Sequence, residues 1–159
     1  MGNAKTSACK PHLIKYIRCF RQSGDYKIDM DLEKYLEEIK FEKQLARLKK
    51  RLQGKTIIIY GTGSLFQSIL SKCDLSDLNI IAVSDGKYTS EDKGKEFCGF
   101  KTVPLTEISS LNSDYILVAT LNYTDIIYNF ETVFFKNTKT KILPLAQKPF
   151  LTLLKEIWL

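Results

Sequence analysis

A chain of 159 residues is long enough for one domain with a proper hydrophobic core and an appendage. Its 44% hydrophobic and 26% charged residues are typical of a soluble globular protein. No apolar run approaches the roughly 20 residues of a membrane span, and no signal peptide begins the chain, so we expect a cytoplasmic protein. The four cysteines form no C-x-x-C pair and the chain has one histidine, so we expect no metal site.

The first 54 residues are predicted to form a helical arm with two helices. The first helix covers residues 11–22, with a proline in its first turn and an apolar face made by Leu13, Ile14, Ile17 and Phe20. The second helix can be capped by Asp29 or Asp31 and runs to about Gln53. At 1.5 Å per residue this second helix would be about 33 Å long.

The positive charge of the chain is concentrated in this arm. Residues 1–54 carry 13 Lys and Arg against 7 Asp and Glu, whereas residues 55–159 carry 11 of each. Acidic residues interrupt the basic face, so nucleic acid is not an expected partner. An apolar stripe from Leu32 to Leu52 needs a cover, which predicts a homodimer through the N-terminal helices. The alternatives are packing of the arm on its own domain or on a different partner.

The segment KTIIIYGTGSLFQSIL, residues 55–70, predicts a buried strand, a glycine turn and a helix. Gly61 allows a tight turn, and Gly63 leaves room where a diphosphate would approach the backbone. The N–H groups at the start of the new helix favour an anion. Phe66 stands where dinucleotide-binding loops have their third glycine, so we expect this helix to lie further from the sheet or to tilt.

A second buried strand is predicted over residues 79–83, and it ends at Ser84 and Asp85. Asp85 lies 22 residues after Gly63, close to the position where an acid binds a ribose hydroxyl. A carboxylate there favours NAD over NADP, because it repels a 2′-phosphate. The alternative is that Asp85 and Gly86 simply form a turn after the strand.

The rest of the chain alternates between strands and helices. We predict an extended segment at 97–104, a brief helix at 106–108, a buried strand at 114–120, helical stretches within 122–135, a strand at 141–145 and a closing helix at 150–158. Such alternation implies a parallel sheet with right-handed crossovers. The predicted fold class is therefore α/β: a Rossmann-like parallel sheet with flanking helices over residues 55–159, preceded by the helical arm 1–54.

No catalytic group stands out in the sequence. None of the eight tyrosines has a lysine four residues later, the pair that short-chain dehydrogenases and extended epimerases use. No histidine follows His12, so a general base would have to be Asp85, Asp125 or Tyr123. Whether the protein is an enzyme therefore stays open.

The segments IIIYGTGSLFQSIL, NIIAVSDGK, GKEFCGFKTVPLTEI and DYILVAT resemble the small Rossmann-like domains of bacterial surface-polysaccharide enzymes. Many such domains are described as nucleoside-diphosphate-sugar epimerases, and the resemblance covers about residues 55–145. It implies that NAD or a nucleotide-sugar is bound by the loop after the first strand, by the second-strand acid and by the loop after the third buried strand: Gly61, Thr62, Gly63, Ser64, Leu65, Asp85 and Thr120.

Three functions follow from these observations. The first is a nucleotide-binding module or subunit in sugar-nucleotide or surface-polysaccharide metabolism. The second is an NAD-dependent nucleotide-sugar epimerase or dehydratase that a partner completes. The third is a regulatory or structural Rossmann-like scaffold without a ligand.

Overall fold

The computed structural model describes residues 31–149. They form a mixed α/β structure with one six-stranded, mostly parallel sheet flanked by helices. The strands are β1 Thr56–Tyr60, β2 Asn79–Asp85, β3 Glu96–Phe97, β4 Phe100–Pro104, β5 Tyr115–Val118 and β6 Lys141–Pro144. The α-helices are α1 Leu32–Glu38, α2 Phe41–Arg51, α3 Ser64–Lys72 and α4 Tyr123–Asn129. Two 3₁₀ segments, Ser90–Asp92 and Leu105–Leu111, and a π-helical segment, Phe130–Phe134, complete the described elements.

The sheet has the strand order β3-β4-β2-β1-β5-β6. All neighbouring strands run parallel except β3 and β4, which form an antiparallel hairpin at one edge. The hairpin turns at Cys98 and Gly99, both at positive φ (50° and 84°), as a tight two-residue turn requires. The parallel strands are rich in β-branched and apolar residues because both faces of the sheet are covered.

Alternate residues of the central strands enter two separate hydrophobic clusters. Ile57 and Ile59 face one cluster, with α1, α2 and α3, whereas Ile58 faces the other, with the π-helical segment and the second 3₁₀ segment. This alternation places helical layers on both faces of the sheet. Leucines of α1 and α2 therefore share a core with the sheet.

The arm differs from its prediction. The single long helix expected up to about residue 53 is wrong: the chain forms α1 and α2, which are separated at Lys40 in the left-handed conformation (φ 54°, ψ 49°). The apolar stripe slips by one position there, and the break lets both halves face the sheet. The cap at Asp31 is confirmed, since its Oδ1 accepts a hydrogen bond from the N–H of Lys34 at 3.1 Å.

The apolar stripe of the arm does not need a second copy to cover it. Its members are buried against the sheet of the same chain: Leu32, Leu36, Ile39, Phe41, Leu45 and Leu52. The argument for a homodimer from exposed leucines is therefore wrong, and the dimer itself stays a prediction. The helices predicted at 11–22 and 150–158 lie outside the described residues.

Phe66, the residue in place of the third glycine, is fully buried. Its ring centroid lies 6.4 Å from that of Phe97 and 6.2 Å from that of Phe100, one on each strand of the hairpin. The large side chain thus fills the space between α3 and the β3–β4 hairpin, where a glycine would leave a cavity.

Among residues 31–149 no helix combines the length and the apolar character that a membrane crossing requires.

Replacing Phe66 by alanine should lower the free energy of unfolding by about 3–5 kcal/mol, because it removes a buried ring and leaves a cavity. Phe134, which is 50% exposed, supplies the matched control. Its replacement by alanine should cost about 1 kcal/mol or less. Urea denaturation of both variants measures the difference, and equal losses would show that Phe66 does not hold the hairpin.

Candidate functional site

The carboxyl ends of β1 and β5 lie side by side in the middle of the sheet. The N–H of Gly61 donates to the carbonyl of Ser84 at 2.8 Å, and the N–H of Ala119 donates to the carbonyl of Tyr60 at 2.7 Å. From this point the chain continues after β1 to β2 and β4 on one side, and after β5 to β6 on the other. In sheets whose strand order reverses in this way, ligands bind in the crevice outside the carboxyl ends of the strands.

Gly61 is required by the packing of these two loops. It has φ 102°, and a Cβ on it would lie 2.7 Å from Cγ2 of Thr120 and 3.0 Å from the carbonyl oxygen of Ala119. A side chain would therefore collide with the loop after β5 and would also strain the backbone. The role of Gly61 is to let the two loops approach each other.

Gly63 has a different environment. It is the N-cap of α3 in an extended conformation (φ −76°, ψ −166°), which any residue can adopt. A Cβ on Gly63 would meet no atom of the described chain within 4 Å beyond its immediate neighbours. It makes no side-chain cap bond, so the first N–H groups of α3 have no such acceptor.

Asp85 binds the glycine loop. Its Oδ2 accepts hydrogen bonds from the N–H of Thr62 at 2.8 Å and from Oγ1 of Thr62 at 3.0 Å. Its Oδ1 accepts from the N–H of Lys87 at 3.2 Å, within a turn closed by a bond from the N–H of Tyr88 to the carbonyl of Asp85. The turn after β2 is thus present, and the carboxylate connects it to the loop after β1.

Thr62 is completely buried and all of its polar atoms have partners. Besides its two bonds to Asp85, its Oγ1 accepts from the hydroxyl of Tyr88 at 3.1 Å, and its carbonyl accepts from Nε2 of Gln67 at 3.0 Å. The resulting chain of donors runs from Tyr88 through Thr62 to Asp85. Thr62 therefore fixes the loop from inside and leaves the outer side of the loop to Gly63 and the first turn of α3.

The tyrosines around the loop are held in the neutral form. Burial raises the pKa of Tyr88 to about 12, and the nearby charge of Asp85 raises it as well. Together they outweigh the Thr62 hydrogen bond, which lowers this pKa. Burial and then the charge of Asp85 also raise the pKa of Tyr60. Neither phenol is prepared to give up a proton near neutral pH.

Two buried hydroxyls at this edge have no hydrogen-bond partner among residues 31–149: Oγ of Ser84 at the end of β2, and Oγ1 of Thr120 after β5. The methyl group of Thr120 is turned toward Gly61. A buried polar atom without a partner costs about 1–3 kcal/mol unless a water or a ligand satisfies it. These hydroxyls are therefore candidate ligand contacts beside the crevice.

The structure brings together most of the residues that the sequence predicts for the site. Gly61 to Leu65, Asp85 and Thr120 all lie at the carboxyl edge. Whether each contacts a ligand stays a prediction, including the ribose contact of Asp85. The sequence did not single out Tyr88 or Gln67, although the Asp-Gly turn at 85–86 and the first turn of α3 bring both back to the loop.

Within the described part of the chain, no group of three or more His, Cys, Asp or Glu side chains is arranged to hold a metal ion. Cys73 is half-buried at the end of α3 and Cys98 is buried in the hairpin turn, on different elements. The expectation of no metal site concerns the whole chain, and it stays a prediction.

Two comparisons with known proteins bear on this region. The model of the family described as C2185-like, N-terminal, matches residues 53–141. Over 84 residues the chain is 31% identical to the nitrogenase iron-molybdenum cofactor biosynthesis protein NifE of Rippkaea orientalis. The aligned part is 49% of this chain and 18% of NifE, so the chain spans less than a fifth of that relative.

These matches overturn the resemblance to nucleoside-diphosphate-sugar epimerases. The family that covers the glycine loop, the second-strand acid and the hairpin is the C2185-like one, and the similar curated protein serves cofactor biosynthesis. The predicted function in nucleotide-sugar binding and surface-polysaccharide metabolism is therefore wrong. The segments that suggested it have structural roles. Gly61 allows the loops after β1 and β5 to approach each other, Phe66 packs against the hairpin, and Asp85 accepts hydrogen bonds from the glycine loop.

Replacing Asp85 by asparagine should lower the free energy of unfolding by about 1.5–3 kcal/mol, because hydrogen bonds to a charged acceptor are lost. Asp125, in the first turn of α4, is the control. Its replacement by asparagine should cost less than about 1 kcal/mol. Urea denaturation of both variants measures the two losses of stability. Unchanged stability of the Asp85 variant would show that the carboxylate does not hold the loop.

The raised pKa of Tyr88 predicts a loss of stability at alkaline pH. Below pH 10 the phenol is protonated in both the folded and the unfolded chain, so its contribution is fully present. Between pH 10 and about 12 only the unfolded chain loses the proton, so the free energy of unfolding falls with pH. For a half-buried phenol the loss should be roughly 1 kcal/mol after solvent screening.

Replacing Tyr88 by phenylalanine should remove this part of the pH dependence. Tyr35 and Tyr60 have pKa values raised by burial too, but they are present in both proteins, so the difference isolates Tyr88. Urea denaturation of the two proteins at about pH 9 and about pH 11 measures it. If the free energy of unfolding changes equally between the two pH values in both proteins, the assignment to Tyr88 is wrong.

Proposed function

We propose that the α/β unit of this chain, which belongs to the C2185-like, N-terminal family, is a Rossmann-like binding module that takes a small ligand through an anionic group at the carboxyl edge of the sheet. The strand order supports this fold: from β1 the sheet extends through β2 to β4 in one direction and through β5 to β6 in the other. Ligands of such sheets bind where the order reverses.

The observation that carries the proposal is the contrast between the two glycines of the loop. Gly61 is required by the protein itself, since a Cβ there would collide with the loop after β5. Gly63 is not required by the protein: its backbone is extended and the space in front of it is open. The open space in front of Gly63 leaves room for a ligand to approach the backbone at that position.

The group that fits this position is a compact anion such as a phosphate, a carboxylate or an oxyanion. The first N–H groups of α3, from Ser64 onward, point out of a nine-residue helix whose dipole is positive at this end. The Asp85–Thr62 bonds hold the loop that presents them. Thr120, on the facing loop, adds a buried hydroxyl that has no partner in the described part of the chain.

The site is better suited to binding than to proton transfer. The carboxylate of Asp85 is occupied by the loop, and the phenols of Tyr60 and Tyr88 have raised pKa values. NAD, expected from the sequence as a possible source of the anion, stays a prediction and is included in the test below.

A second candidate function is a part in the biosynthesis of a metal cofactor, which the similarity to NifE favours. Residues 31–149 do not assemble a metal-binding group. Their contribution would be to bind an anionic precursor, or to serve as the scaffold for metal-binding residues elsewhere in the chain. Molybdate is an oxyanion of the size and charge that a helix N-terminus accepts. Metal analysis of the full chain after anaerobic purification with iron and molybdate tests this role, and a metal-free protein contradicts it.

Replacing Gly63 by aspartate should abolish binding of the anion and leave the fold intact. Aspartate is a preferred N-cap, so the stability should be unchanged or should rise by a few tenths of a kcal/mol. Its carboxylate would occupy the place of the anion and repel it. The control is Asn79→Asp, which adds the same charge at the exposed amino end of β2.

The measurement is calorimetric titration of the full chain with phosphate, pyrophosphate, molybdate and NAD, together with thermal unfolding. A ligand at 100 times its Kd should stabilise the wild-type protein by about 2.7 kcal/mol. We expect binding to be lost in Gly63→Asp and kept in Asn79→Asp. If none of the four ligands binds, or if Gly63→Asp binds as well as the wild type, the proposal is wrong.

A further inference from the structure

A groove runs along the side of the domain away from the candidate site. It consists of two adjoining cavities of about 350 Å³ and about 250 Å³, which share Glu42, Lys72 and Cys73 as lining residues. The first cavity lies between α1, α2 and the end of α3, and the second continues it along α2. The two cavities together are called the α2–α3 groove below.

The lining of the α2–α3 groove is apolar at its base and charged at its rim. Leu36, Phe41 and Leu45 belong to the hydrophobic core and form the base together with Cys73. The rim carries acids from α1 and α2 and lysines from α2 and α3. An apolar base between charged rims is the surface that receives an amphipathic helix.

We propose that the α2–α3 groove is the docking site of residues 11–22 of the same chain. The sequence of this segment predicts a helix with an apolar face made by Leu13, Ile14, Ile17 and Phe20. That apolar face needs a cover.

The position of the segment in the chain supports this occupant. The chain enters α1 at Leu32, and Glu33, the next residue, already lines the groove. Residues 23–30 separate the segment from this point, and eight residues can span at most about 26–29 Å. The tether therefore keeps the segment close to the first cavity, and a short tether gives it an effective concentration in the millimolar range.

The charges of the rim also fit the segment. Glu37 and Glu42 have no ion-pair partner among residues 31–149, whereas Lys72 is paired with Glu33 at 3.0 Å. The segment carries Arg18 and Arg21 beside its apolar face. Lys40 and Lys43 on the α2 side of the rim repel these residues, so the basic side chains should lie toward the acids of α1.

The test uses Cys73, which lines both cavities, as a native probe. In the full chain with Cys9 and Cys19 changed to serine, Ile17→Cys puts a thiol in the middle of the apolar face. Mild oxidation should then form a disulfide between this thiol and Cys73 within one chain. The control is Lys15→Cys, which lies on the opposite side of the predicted helix and should react at least about ten times more slowly, as the direction of helical side chains requires.

The outcomes on a non-reducing gel separate the possibilities. A cross-linked monomer from Ile17→Cys supports the proposal. A cross-linked dimer would show that the groove receives the segment of a second copy. Equal rates for the two variants, or no cross-link, would show that the segment does not dock there.

A second measurement does not depend on disulfide geometry. With Cys9 and Cys19 changed to serine, maleimide labelling of Cys73 should become at least about five times faster when Ile14 and Ile17 are both replaced by aspartate, because the cover is lost. Lys15→Asp, on the other side of the segment, should leave the rate unchanged. Burial raises the pKa of the Cys73 thiol, so labelling is followed at about pH 9. A rate that the double variant does not change contradicts the proposal.

Discussion

The site depends on the bond between the end of β2 and the loop after β1. One carboxylate oxygen of Asp85 accepts both the N–H and the hydroxyl of Thr62, a residue with no exposed surface. These bonds satisfy a buried backbone donor that has no strand partner, and they fix the direction in which the chain enters α3. The open space at Gly63 and the orientation of the first N–H groups of α3 both follow from this connection.

The strands were predictable because their local signals agree with the tertiary structure. Runs such as Ile57 to Ile59 are apolar and β-branched, and only a strand covered on both faces suits them. The break at Lys40 was not predictable in the same way. The stripe slips by one position at the break, but only the position of the sheet decides that both halves must turn toward it. Phe66 shows the same limit, because its partners Phe97 and Phe100 lie 31 and 34 residues away in the chain.

The sequence placed the candidate site residues at the carboxyl edge of the sheet, where the structure has them, but it could not distinguish a structural role from a binding role. Gly61 and Gly63 look equivalent in a glycine motif. The structure separates them, since the first faces Thr120 and Ala119 and the second faces open space. Asp85 lies at the distance in sequence expected of a residue that binds a ribose hydroxyl, yet its carboxylate accepts hydrogen bonds from Thr62. These distinctions depend on distances across the crevice, which a motif does not contain.

Helix α3 connects the two surfaces for which functions are proposed. Its first residue, Ser64, stands at the candidate anion site, and its last residue, Lys72, lines the α2–α3 groove. Between these ends Phe66 and Ile69 are fully buried. A close-packed helix of nine residues, about 14 Å long, moves as a unit rather than bending at its middle. The core that holds α3 therefore fixes the geometry at both ends of this helix. Asp85 and Thr62 themselves do not line the groove.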